Sequence, residues 1–233
     1  MKSSSQPSRQ AGAGHSRARL LAVAIIVASL GTLSATAEPP ATFSTPTGRV
    51  EGSTTIRGSE AANNAVVYLV PGAARGPLSA EPPRRDGPYH MDQHRLQFDP
   101  HVLVVPAGAT VEFLNSDQVL HNIFAPPLDT EGFDLGTWPQ SETRRHTFPE
   151  PGVNVLLCNV HPDMEAFIIV VPTRYYALTD EDGSFSIDDV PPGRYTLFAW
   201  HERCDPYEMA IEIGDGTNEV SVVLSLVGSR KRY

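Results

Sequence analysis

Two apolar runs flank the segment Leu156-Leu157-Cys158-Asn159-Val160-His161-Pro162-Asp163-Met164, which sets a thiol, an imidazole and a thioether at three-residue spacing. Val153 to Leu157 lead in, and Glu165-Ala166-Phe167-Ile168-Ile169-Val170-Val171 lead out. Short apolar, β-branched runs on either side of a polar loop predict strand, loop, strand. Thiolate and thioether favour Cu(I), and imidazole accepts either oxidation state. A Cys-His₂ set with a weak axial Met forms a blue-copper electron-transfer site, and this loop supplies all of it except one His. The same residues also admit a plainer reading: a buried structural cysteine, a nearby histidine and a core methionine filling a gap.

A second histidine ends another apolar segment, in Asn115-Ser116-Asp117-Gln118-Val119-Leu120-His121-Asn122, and lies 37 residues before Cys158. Together the two segments resemble the cupredoxin family, and the short C-x2-H-x2-M loop resembles its amicyanin-type branch, also met in methylamine-utilisation proteins. The resemblance implies a Greek-key β-sandwich over residues 86–171, with one copper ion held by His121, Cys158, His161 and Met164. It implies that Asn122 ties the two ligand loops together by hydrogen bonds, and that the ring edge of His161 is the electron port. Asp163 departs from the pattern, standing where the branch often carries an aromatic or apolar residue. A carboxylate there would favour Cu(II) and interrupts an apolar surface around His161.

The chain is 233 residues long, enough for one large or two small β domains. Arg17 and Arg19, the apolar run Leu20 to Leu33 and the small residues Ala35-Thr36-Ala37 read as a signal peptide over residues 1–37. The run is short for a membrane span, so the mature chain is expected to have none and to be exported, to the periplasm in a bacterium. Removing residues 1–37 takes Lys2, Arg9, Arg17 and Arg19 and no acid. Of 18 basic residues 14 then remain against 27 acidic ones, a formal charge near −13. Such a surface repels nucleic acid and anionic membrane and suits a partner with a basic face. An exported chain with two cysteines also admits a Cys158–Cys204 disulfide, which would consume the thiolate.

Residues 38–46 are Pro-, Thr- and Ala-rich and read as a linker. Residues 71–88 read as a long Pro/Gly/Arg loop, and residues 125–140, with Pro126-Pro127, Gly132, Gly136 and Pro139, as an irregular excursion. After Val171 come Thr179-Asp180, Asp182-Gly183-Ser184-Phe185 and Val190-Pro191-Pro192-Gly193-Arg194-Tyr195, turns punctuating alternating strands. These resemble the carboxypeptidase regulatory-like module, a small transthyretin-like β-sandwich. Its opening strands match Gly48 to Gly52 and Ala65 to Leu69, which precede the copper-type block. An all-β chain is therefore expected. Residues 47–75 carry the first strands of a split sandwich, 86–171 an inserted cupredoxin and 172–228 the remainder of the sandwich. A cupredoxin followed by an independent module is the simpler alternative.

His90 and His94, with Met91 between them, are candidates for a secondary copper-loading site, and His101, His146 and His201 read as strand-end or surface residues. Asp180 and Asp182 fit turn chemistry better than calcium binding. No nucleophile elbow, phosphate loop or zinc-protease motif is found. The expectation is a carrier rather than an enzyme: a monomer passing single electrons between partners such as a cytochrome c or a quinoprotein dehydrogenase, as the resemblance implies. The alternatives are copper handling without electron transfer and a carbohydrate-binding-like module of the cell envelope.

Overall fold

Strand β12 (Glu165–Val171), which leaves the Cys158–Met164 loop, is buried on both faces. Ala166, Ile168 and Val170 enter one apolar cluster, and Phe167, Ile169 and Val171 another. A strand covered on both sides reads as an uninterrupted apolar run rather than an alternating one, as this one does. The computed structural model describes residues 47–57, 60–72, 88–128 and 130–228, all within one compact unit, Ser44–Tyr233. The predicted signal peptide and linker lie outside the described residues, as do residues 73–87 of the predicted loop.

The described chain is all-β and forms four sheets. β12 lies in a five-stranded sheet with β6 (Val102–Pro106), β11 (Gly152–Leu157), β8 (His121–Ala125) and β9 (Phe133–Trp138), in the order β6-β12-β11-β8-β9. A second sheet runs β10-β7-β4-β5, built from β4 (Tyr89–His94), β5 (Gln97–Asp99), β7 (Ala109–Leu114) and β10 (Thr143–Phe148). Their facing sides enclose a core that includes Met91, Phe113, Trp138, Leu156 and Ile168. Two parallel pairings, β12 with β6 and β4 with β7, interrupt the antiparallel ladders.

The other two sheets join the ends of the described chain. β1 (Gly48–Ile56) pairs antiparallel with β14 (Ser184–Val190) and parallel with β17 (Gly216–Leu224), and the short β2 (Glu60–Ala61) pairs with β1. β3 (Val66–Pro71) lies between β13 (Tyr176–Leu178) and β15 (Gly193–Trp200), with β16 (Tyr207–Ile213) beyond β15. No ladder joins β1 or β3 to strands of residues 88–171 among the described residues. Thr179 fastens this closure: its hydroxyl donates to the Ala62 carbonyl at 2.5 Å and accepts from the Ala65 amide at 2.8 Å. Gly183, at φ +80°, passes so close to the Thr54 carbonyl that a Cβ would sit 2.3 Å from it; only glycine fits that turn.

Alternation on β3 and β15 divides their side chains between two cores. Val67, Leu69, Tyr195 and Leu197 face β1, β14 and β17. Val66, Tyr68 and Trp200 face the other way and meet Val102, Val104, Val155, Phe167, Ile169 and Val171 from the five-stranded sheet. Phe167 and Trp200 pack with ring centroids 5.2 Å apart. The molecule is therefore four stacked sheets with three apolar layers between them. Fully burying each aliphatic side chain of the middle layer contributes about 1.5–3 kcal/mol, so the layer is a seam rather than a loose contact.

Two segments differ from the sequence reading. The excursion over 125–140 contains β9, which pairs with β8 across an irregular register step between Asn122 and Phe124. Gly136 supplies a positive φ of 71° there, so residues that read as breakers serve a bent strand. Tyr89–His94, to which the sequence reading assigned no element, is a strand, with Met91 and Gln93 buried and His90 and His94 exposed. That alternation puts Met91 in the core on the side opposite the two histidines, so the three do not converge on a loading site.

Candidate metal centre

His121 opens β8, Cys158 follows directly on β11, and Met164 directly precedes β12. The ligand-type residues thus sit where strands give way to loops, on a framework fixed by the ladders beneath them. His121 is fully buried, Cys158 and Met164 are buried, and His161 is half-buried. The Met164 amide donates to the His161 carbonyl at 3.0 Å, closing the loop into a turn.

Cys158 Sγ lies 3.9 Å from His121 Nδ1, and the two Nδ1 atoms of His121 and His161 lie 3.1 Å apart. The three donor atoms all lie within 4.8 Å of one another. The His₂Cys set predicted from sequence is thus brought together. Met164 belongs to the same buried cluster as Cys158. Bonds of about 2.0 Å to imidazole nitrogen and about 2.3 Å to thiolate sulfur span both separations, so this arrangement could hold a metal ion.

Hydrogen bonds that need no ion hold the arrangement. Asn122 accepts from the Asn159 amide at 3.2 Å and donates to Asp134 Oδ1 at 2.8 Å and to the Gly136 carbonyl at 3.0 Å. One side chain thereby joins β8, β9 and the Cys158–Met164 loop. Asn115 donates to the Val119 and Trp138 carbonyls, both at 3.0 Å, and accepts from the Asp117 amide at 3.0 Å. Asp117 in turn places Oδ2 2.9 Å from His121 Nε2. Its oxygens also accept the Arg95 amide at 2.7 Å and the Leu96 amide at 2.9 Å. Burial alone would raise the Asp117 carboxyl, but the Leu96 amide, the His121 ring and the Arg95 amide together hold it below its ordinary value.

Sequence reasoning read Asp117 only as part of the turn Asn115-Ser116-Asp117, and Leu96 as the start of a strand with Gln97 and Phe98, whereas that strand begins at Gln97 and Leu96 lies in the turn before it. An acid four residues before a ligand-type histidine was the available signal for the first. The Arg95–Leu96 hairpin turn has no Asn-Gly signature, so nothing local marks it. Asp163 is exposed. Both cysteines are free and lie in different cores, Cys158 near the candidate centre and Cys204 between the other two sheets. Cys204 Sγ lies 3.9 Å from His201 Nδ1. Asp180 and Asp182 both accept the Ser184 amide, as turn residues do.

The family model for domain II of polysaccharide lyase family 4 matches residues 172–218. Its description differs from that of the regulatory-like module whose signature the same residues resemble. No curated protein sequence matches the chain. Among solved structures, a copper-containing nitrite reductase of Thermus scotoductus is 30% identical over 36% of this chain, with a TM-score of 0.35. This chain spans 22% of that reductase. A purple cupredoxin from Nitrosopumilus maritimus is 23% identical over 36% of this chain and 99% of its own, with a TM-score of 0.33. A Cu(I) amicyanin variant is 22% identical over 47% of this chain and 100% of its own, with a TM-score of 0.34.

Proposed function

We propose that the chain binds one copper ion at His121, Cys158, His161 and Met164 and serves as a one-electron carrier. The observation that carries this reading is the convergence of one thiol and two imidazoles at the edge of the apolar core to which Cys158 and Met164 belong. A set of one thiolate and two imidazoles, with a thioether in the same loop, favours copper over hard cations. Bound copper would supply a one-electron couple. The protein's part is to hold the donors in place, and the Asn122 and Asp117 hydrogen bonds support such rigidity.

His161 is half-buried while His121 is fully buried, so only the former offers a ring edge to a partner. Four of the exposed large apolar side chains lie beside site residues. Val119 and Leu120 precede His121, Val160 precedes His161, and the Leu96 amide binds Asp117. This surface suits transient docking of a redox protein, with the acidic remainder of the molecule steering a basic partner such as a c-type cytochrome. We read residues 88–171 as a copper domain inserted in a split sandwich, on the strength of the ladders joining β1 and β3 to β13–β17. Export follows from the sequence of residues 1–37; no helix among the described residues is long and apolar enough to cross a membrane.

The test is a Cu(II) titration of the purified protein followed by visible absorption and electron paramagnetic resonance. An intense thiolate-to-copper band with narrow hyperfine splitting, saturating at one copper and lost in C158S, is the expected result. A colourless protein with an ordinary tetragonal signal would sink the carrier reading and favour copper handling.

A further inference from the structure

Three features of the Asp117 environment exceed what a turn requires. First, its carboxylate faces Nε2 of the fully buried His121 and is itself largely buried, with 15% of its side chain exposed. Second, the same carboxylate gathers the amides of Arg95 and Leu96, the two central residues of the β4–β5 hairpin. Third, both of those residues adopt left-handed backbone, at φ 54° and 59°. For residues with a Cβ that conformation costs about 1–2 kcal/mol each. Such a cost persists where surrounding contacts impose it, and it clusters at functional sites.

The chemistry follows from the ring. A histidine carries its proton on the nitrogen that faces an acceptor. With Asp117 at Nε2, the His121 proton belongs there, and the Nδ1 lone pair faces Cys158 and His161. A carboxylate behind a ligand imidazole raises its donor strength, which favours the higher charge on a bound metal. The turn amides supply fixed donors that aim the carboxylate at the ring.

We infer that Asp117, held by the Arg95–Leu96 turn, is a positioning residue that fixes the His121 tautomer and biases the centre towards its oxidised state. The inference rests on the copper reading above for its redox half. Its tautomer half stands without metal.

Two measurements test it. In the metal-free wild-type protein, ¹⁵N-resolved NMR of the histidine rings should show His121 as the Nε2–H tautomer; an Nδ1–H ring would overturn the inference without recourse to any variant. In the copper-loaded protein, D117N should weaken Cu(II) relative to Cu(I) by about tenfold or more. For a one-electron couple tenfold is about 59 mV of increased potential. D117E, which keeps the charge, should restore at least part of the preference. Equal potentials for wild type and D117N would reduce Asp117 to a turn cap. Absence of any thiolate-to-copper band in the wild type would instead overturn the copper reading, and the tautomer would still judge Asp117's positioning role.

Discussion

The Nδ1 atoms of His121 and His161 stand 3.1 Å apart, although one opens a strand and the other rides a loop 40 residues later. The two rings differ in how firmly they are held. His121 is fully enclosed and bonded to Asp117; His161 is partly open to solvent.

That difference predicts unequal effects on the metal-free protein. H121A leaves the Asp117 carboxylate without its ring partner in a largely buried position and should cost about 1–3 kcal/mol. H161A should change metal-free stability by no more than about 0.5 kcal/mol. Both should abolish the thiolate-to-copper band. Urea denaturation of each apo variant, beside a copper titration, checks the pair.

The hairpin turn gives a gain rather than a loss. Leu96 is exposed and left-handed, so L96G removes backbone strain without opening a cavity. It should raise stability by up to about 1 kcal/mol. The Leu96 amide is retained, so the reduction potential should stay at its wild-type value. A lowered midpoint in denaturant would show that the turn is not strained.

At the seam, Phe167 contacts Trp200 and meets the edge of His101, with centroids 5.5 Å apart. F167A should cost about 3–5 kcal/mol. F167A and W200A should combine non-additively, with a coupling of about 0.5–3 kcal/mol. A double-mutant cycle in denaturant measures the coupling, and simple additivity would mean that the two rings act independently.

A pH dependence belongs to the same seam. His101 Nε2 lies 3.0 Å from Glu202 Oε2, which reaches across from the β15–β16 connection. The hydrogen bond to Glu202 is the main cause holding His101 above its ordinary value of 6.5, and the bond to His101 is the main cause holding Glu202 below its ordinary 4.5. His101's contribution is complete below 6.5 and fades as pH rises through its raised folded value. Glu202's is complete above 4.5 and fades as pH falls through its lowered one. The tie is therefore strongest between those two ordinary values. Both side chains are partly exposed, so its worth is at most about 1 kcal/mol. Wild type should lose stability relative to E202Q between pH 6 and pH 8.5, and a constant difference across that range would exclude the tie.

Much of the candidate centre was legible because its chemistry is local. Cys158, His161 and Met164 share one short loop, and His121 announces itself at the end of an apolar segment. The all-β character was legible for a similar reason, since strands and turns alternate within a few residues of one another. What stayed hidden depends on closure in three dimensions. Asp117 acquires its role only when the Arg95–Leu96 turn folds onto it. His101 reads as a surface residue until Glu202, 101 positions later, comes alongside. His201 likewise reads as a strand-end residue, yet it is buried beside Cys204. Strand β9 was masked by Gly136, which shapes its bend rather than breaking it.

The double burial of β12 limits how freely this chain can be cut. Excising residues 88–171 would strip the cover from Val102, Val104, Val155, Phe167, Ile169 and Val171. A contiguous apolar face would then meet water, the kind of surface that drives self-association. Expressed alone, the copper-type block would behave like a subunit deprived of its obligate partner and would need charged replacements on that face to remain dispersed.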